Sequence, residues 1–266
     1  MQTGQHLQFE TISTDEVYEG EVISAESLIS KAVSGTLANV NVDGYGETKI
    51  LFPGGDVTAD GAKHRMQRCG LPSQFSGVRW NDFRWSVYGE NMGASREFRA
   101  SQKFIFNTSK FLKNGMGLYF LGRVSGCGKS MLLSVLANEV LQRHDFSVKY
   151  VTQNDYFSLL RTDEQAKKAE ARAIQNCVLL FLDDLKSISG SQWYKDVLKE
   201  LIEKRVRQGH VTVYASKEPV EKLNIDEGTV DLIAANAIGL KLPDVPVRKM
   251  LSTDRSAKFE KKLFEG

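Results

Sequence analysis

The apolar run Leu118–Leu121 feeds directly into Gly122-Arg-Val-Ser-Gly-Cys-Gly-Lys-Ser130, and apolar residues at helical spacing (Leu132, Leu133, Leu136, Val140) follow. This strand–turn–helix order constrains the chain more than any other feature. A glycine-rich turn lets successive backbone N–H groups converge without side-chain obstruction. The helix that opens behind it adds the positive end of its dipole. Such a loop suits a polyphosphate. Its candidate contacts are Gly122, Arg123, Val124, Ser125, Gly126, Cys127, Gly128, Lys129, Ser130 and Met131. Lys129 is placed to reach the β- and γ-phosphates, and the Ser130 hydroxyl is a candidate Mg²⁺ ligand. In the usual G-x-x-x-x-G-K-[ST] spacing the first glycine falls where this chain has Arg123. Gly122 stands one residue earlier, so the loop is either one residue longer or opens on an arginine.

A second apolar run, Val178–Leu182, ends in Asp183-Asp184. Two acids at the end of a buried strand are costly unless a cation or hydrogen bonds satisfy them. They fall about fifty residues beyond the lysine-serine pair, with a strand and helices between, which suits a role beside bound phosphates. Asp183 is then the candidate Mg²⁺ ligand, and Asp184 the residue that orients or deprotonates an attacking water. A capping role for the helix that follows is the alternative. A third run, Val211–Ala215, ends at Ser216-Lys217. There Ser216 could hold a water and Lys217 could offer charge to the γ-phosphate.

Between and beyond these motifs strands and helices alternate. Strands are expected at 118–121, 148–151, 178–182, 211–215 and, as an edge, 238–242. Helices are expected at about 95–112, 129–143, 155–161, 164–175, 191–208 and 248–264. Alternation of this kind implies an α/β fold: a central parallel sheet with helices on both faces, a three-layer sandwich. Ligands in such sheets bind at the carboxyl ends of the strands, where the motifs lie. The aromatic stretch 69–90 (Phe75, Trp80, Phe83, Trp85, Tyr88) reads either as a wall of a nucleotide-base pocket or as a packing staple. Packing is the commoner use of large aromatics.

Residues 1–60 differ from the rest. They hold ten acidic residues against Lys31 and Lys49, a net charge of −8, which leaves 33 basic and 23 acidic residues in 61–266, a net of +10. The division expected is an acidic N-terminal segment, 1–60, suited to docking a protein, and a 61–266 nucleotide-binding domain. A linker is expected at about 53–64 and a short helix at 24–34. The basic residues Arg161, Lys167, Lys168, Arg172, Lys204, Arg205 and Arg207 could line a nucleic-acid path, with solvated helix faces as the plainer reading. No run of eighteen apolar residues exists and the N-terminus is polar and acidic, so no membrane partner and no secretion signal are expected. Cys69, Cys127 and Cys177 make no metal or disulfide spacing, which fits a cytoplasmic protein.

Over about residues 64–262 the chain resembles the DnaC/DnaI/IstB group of AAA+ P-loop ATPases. The matching pieces are Gly117-Leu-Tyr-Phe-Leu-Gly before Gly-Cys-Gly-Lys-Ser, Ala137-Asn138-Glu139, Leu180-Phe-Leu-Asp-Asp-Leu185, Val213-Tyr-Ala-Ser216 and Leu242-Pro-Asp-Val-Pro-Val-Arg248. The resemblance implies an AAA+ core that binds ATP and Mg²⁺ and engages a hexameric replicative helicase, single-stranded DNA and further copies of itself. It also implies a sensor role for Arg248. Two departures bear on turnover. The strand end that usually reads Thr-Ser-Asn reads Ala215-Ser216-Lys217, and the stretch Asp231–Asn236 lacks the arginine that usually serves a neighbour's ATP. Slow hydrolysis is therefore expected. The alternatives are a transposition helper of the IstB kind and a non-hydrolysing adaptor. A small-molecule kinase would need an arginine-rich lid, and no such segment is evident.

Overall fold

The computed structural model describes residues 8–11, 37–42, 46–51, 59–90 and 92–264. The chain divides into two compact units, Met1–His64 with Leu141–Phe146, and Arg65–Val140 with Ser147–Gly266.

The first unit contains an antiparallel sheet of β1 (Gln8–Thr11), β2 (Leu37–Val42) and β3 (Gly46–Leu51), in that order. Register runs from Gln8↔Asn41 to Thr11↔Ala38 and from Val42↔Gly46 to Leu37↔Leu51. By its sequence this segment is only weakly patterned. The missed signal is Asp43-Gly44 between two runs rich in Val, Thr and Ile, a hairpin pattern. The helix expected at 24–34 lies outside the described residues. Helix α1 (Ala59–Cys69) covers part of the stretch expected as a linker.

The second unit opens with 3-10 turns at Ser73–Phe75, Trp80–Asp82, Trp85–Tyr88 and Met92–Ala94. One helix was expected over 95–112; two form, α2 (Arg96–Phe106) and α3 (Thr108–Lys113). The chain breaks at Asn107, whose side-chain amide donates to the Lys103 carbonyl, while the Thr108 hydroxyl donates to the Phe104 carbonyl at 2.7 Å. Local side-chain bonds of this kind compete with the helix ladder.

The order then runs β4 (Gly117–Leu121), α4 (Lys129–Arg143), β5 (Val148–Thr152), α5 (Gln153–Leu160), α6 (Gln165–Asn176), β6 (Leu179–Leu185), α7 (Gln192–Arg207), β7 (Val211–Ser216), α8 (Glu227–Asn236), β8 (Ala237–Lys241) and α9 (Val247–Phe264). The five strands form one parallel sheet in the order β5-β6-β7-β4-β8. Four helices carry the caps their sequences offer: Ser95 accepts from the Phe98 N–H, Thr152 from Asp155, Ser191 from Trp193 and Asp226 from Thr229. Each is worth about 1 kcal/mol.

The strand order sets the layers. The crossover from β4 to β5 runs one way along the sheet, and those from β5 to β8 run the other. Right-handed crossovers therefore place α4 on one face and α5–α8 on the opposite face. Packing agrees. Leu180, Leu182 and Tyr214 share a core with Tyr156, Ile174, Leu198, Leu201 and Ile233 of α5–α8. Alternation turns Phe181 to the other face, where its ring meets Phe104 of α2 at 6.4 Å. Adjacent strands β4 and β7 thus send their chains to opposite faces, which opens a crevice at their carboxyl ends.

Candidate nucleotide site

The loop between β4 and α4 occupies that crevice. Gly122 opens it, its N–H donating to the Ser216 carbonyl of β7 at 3.0 Å. A side chain on Gly122 would meet Cys127 Sγ and the Lys129 stem. It is therefore Gly122 that packs against the closing residues of the loop, while Arg123 is exposed. The loop is one residue longer than the usual spacing.

Two segments grip the loop from outside. The Tyr88 hydroxyl donates to the Cys127 carbonyl at 2.6 Å. The Arg248 N–H, in the first turn of α9, donates to the Gly126 carbonyl at 3.0 Å. Gly126 (φ 77°) and Gly128 (φ 94°) hold left-handed backbone, and close neighbours leave no room for a Cβ. Arg248 Cβ lies 2.8 Å from where one would sit on Gly126, and the Tyr88 hydroxyl fills that place at Gly128. The carbonyls of 126 and 127 are thus engaged by groups from outside the loop. Burial pushes the Tyr88 phenol's pKa up, which keeps it a donor.

Lys129 is buried, its ammonium donating to the Gly122 carbonyl at 2.6 Å. Val124 accepts from the Cys127 N–H across the loop; Ser125 is exposed, and Met131 is half-buried at the start of α4.

The acid pair does not follow β6, as expected, but lies within it. Pairing with β7 slips between Leu182↔Tyr214 and Leu185↔Ser216, and Asp184 takes φ 51° at the slip. This bulge keeps the strand paired while turning the two acids apart. Asp183 is 5% exposed and Asp184 half-buried. Asp183 accepts from the Asp184 N–H on Oδ1 at 2.8 Å and from the Tyr150 hydroxyl on Oδ2 at 2.6 Å. Asp184 pairs with the Lys186 ammonium at 3.2 Å. The Tyr150 phenol also has the Ser130 and Ser134 hydroxyls for neighbours, and burial together with the Asp183 charge pushes its pKa up. One phenol thus adjoins both Ser130 and Asp183. Among the described residues no cluster of three or more His, Cys, Asp or Glu gathers. One hydroxyl and one carboxylate fit Mg²⁺, which takes few protein ligands and fills its shell with phosphate and water oxygens.

Ser216 is fully buried, and its hydroxyl accepts from the Glu218 N–H at 3.0 Å. Lys217 and Arg248 are exposed. The aromatic stretch serves as a staple. Phe83 and Trp85 are buried against each other, and α4 anchors the stretch through Glu139, which accepts from the Trp80 N–H and the Arg79 guanidinium at 2.9 Å.

One member of the expected nucleic-acid path is overturned. Arg205 is 1% exposed, and its guanidinium donates to the carbonyls of Ile174, Cys177 and Val211 and to the Thr212 hydroxyl. Arg161, by contrast, is exposed and lines a cavity of about 320 Å³ with Gln153, Phe157, Ser158, Lys186 and Tyr194. Among the described residues no helix is long and apolar enough to cross a membrane.

Comparison with known proteins follows the same outline. The family model described as IstB-like ATP binding protein matches residues 95–235, just over half of the chain. No curated protein matches the sequence. Among solved structures, a protein of Streptococcus pyogenes serotype M3 solved as a candidate primosome component shares 18% identity over 70% of this chain and 97% of its own, with a TM-score of 0.54. DnaI shares 21% identity over 65% of this chain and 95% of its own, with a TM-score of 0.54. The DnaC helicase loader shares 20% identity over 65% of this chain and 100% of its own, with a TM-score of 0.52. These likenesses establish the fold.

Proposed function

Because this chain belongs to the family of IstB-like ATP binding proteins, we propose that it binds ATP with Mg²⁺ and uses that binding to deliver or remodel a replicative helicase on single-stranded DNA. The observation that carries the nucleotide reading is that Ser130 and Asp183 both adjoin the Tyr150 hydroxyl, in the crevice that holds the Lys129 loop. When bound, Mg²⁺ would offset the charge of the phosphates. Ser130 and Asp183 would hold it, Lys129 would neutralise the phosphates, and the loop's N–H groups would orient them.

Turnover is slow on this reading. Asp184, which would orient water, is paired with Lys186; Lys217 stands where an asparagine is usual; and residues 231–236 offer no arginine to a neighbouring ATP. Loss of such an arginine removes roughly 10³–10⁵ in rate.

The helicase-loader reading is supported by the motifs shared with the DnaC/DnaI/IstB group and by the fold held in common with the DnaC helicase loader. The cavity with Arg161, Lys186 and Tyr194 supports the DNA arm, since cations suit phosphates and an aromatic face suits a base. The acidic segment 1–60 is assigned to protein docking, and self-association is part of the same reading.

Pull-down with the replicative helicase, with and without Mg²⁺–ATP, tests the proposal. Nucleotide-dependent capture by the wild type is expected, and Lys129→Ala abolishes it. Capture of a transposase in place of the helicase favours the IstB-like helper reading, which the family match also supports. Asp184→Asn separates loader from adaptor: unchanged loading by that variant means that hydrolysis is not required.

A further inference from the structure

We infer that Tyr150 is the positioning residue of the cation site, fixing the Asp183 carboxylate beside Ser130; the inference rests on the Mg²⁺–ATP reading above. Tyr150 stands beside Phe181 in the β5–β6 register, two residues before the Thr152↔Asp183 pair. Neighbouring residues of parallel strands share a face, as do residues two apart. Tyr150, Phe181 and Asp183 therefore all point to the side of the sheet that α4 covers. Ser130 and Ser134 are one helical turn apart on α4, and the Ser134 hydroxyl donates to the Ser130 carbonyl at 2.8 Å. The phenol has both those serines and the carboxylate as neighbours.

The bonding of Asp183 gives this placement its meaning. Each carboxylate oxygen accepts one hydrogen bond, Oδ1 from the Asp184 N–H and Oδ2 from Tyr150. Each keeps a second lone-pair direction. Two donors on two oxygens fix both the position and the plane of the carboxylate before a cation arrives. Tyr150 is 4% exposed, and a phenylalanine would fill the same space without the donor. Hydrogen-bond partners of metal ligands set affinity in this way, and their removal typically costs roughly 10–100-fold.

The test is Tyr150→Phe in the full chain, with ATP binding followed by calorimetry in EDTA and across a Mg²⁺ series. The Mg²⁺ concentration that half-restores tight nucleotide binding should rise about tenfold or more, while the affinity measured in EDTA stays at the wild-type value. Ser134→Ala, which leaves the Asp183 bond in place, should keep the wild-type Mg²⁺ dependence. An unchanged Mg²⁺ dependence in Tyr150→Phe, an equal loss in EDTA, or the same rise in Ser134→Ala would each overturn the inference. Thermal melts identify a variant that fails to fold, and a Mn²⁺ titration of Tyr150→Phe by electron paramagnetic resonance then supplies the same affinity at lower temperature. A wild type that takes up no Mg²⁺–nucleotide removes the underlying reading instead.

Discussion

A full positive charge sits in the interior at Arg205, held by five oxygens and by no carboxylate in its described bonds. Two of those oxygens, the Ile174 and Cys177 carbonyls, lie at the end of α6, where the helix dipole is negative and welcomes a cation. Arg205→Met leaves these acceptors stranded, and urea unfolding should show a loss on the order of 3 kcal/mol. Lys167→Ala, on the exposed face of α6 beside Glu164, should change stability by no more than about 0.5 kcal/mol. Sequence does not separate these two residues. Arg205 sits in Lys204-Arg205-Val206-Arg207 and reads as one more solvated cation, because its burial depends on how α7 meets β7. Lys129, Ser130 and Asp183 were legible, since their chemistry and spacing name them without any tertiary information. Tyr150 was not: it is one aromatic in an ordinary strand, and its link to Asp183 spans 33 residues.

Elements were read better than their ends. Every strand of the parallel sheet was expected within a few residues, because each is a short apolar run bounded by turns. The expected end of β6 at Leu182 was wrong for a physical reason. Acids normally terminate a buried strand, but the bulge at Asp183-Asp184 lets the chain pair again at Leu185↔Ser216. Helix 95–112 was expected whole because nothing in its periodicity marks the side-chain bonds around Asn107. At the loop, Gly128 combines left-handed backbone with the Tyr88 hydroxyl in the place of a Cβ. Gly128→Ala therefore displaces either the loop or Tyr88. Calorimetry should show ATP affinity falling by at least about tenfold, roughly 1.4 kcal/mol, with an unchanged circular dichroism spectrum. Wild-type affinity in that variant would mean that the grip of Tyr88 on the loop is dispensable.

At the scale of the whole molecule, the chain divides into two compact units of separate architecture. The strands of the first escaped notice because polar residues dilute their alternation. All three cysteines are free and buried, and burial pushes the Cys69 thiol up to about 12. At pH 8 the native protein should resist a thiol reagent for as long as it stays folded, and all three thiols should react in denaturant; rapid labelling of the native form would contradict this packing. The 18 residues of α9 form a rod about 27 Å long, tied at its first turn to the Gly126 carbonyl. Its outer part bears the exposed side chains of Phe259, Leu263 and Phe264. A rod fastened near one end works as a lever: an ångström of travel across a 5.4 Å turn becomes about 5 Å at the tip. On the proposed nucleotide reading, atomic adjustments around a bound phosphate would thereby be magnified to a scale that another macromolecule can sense.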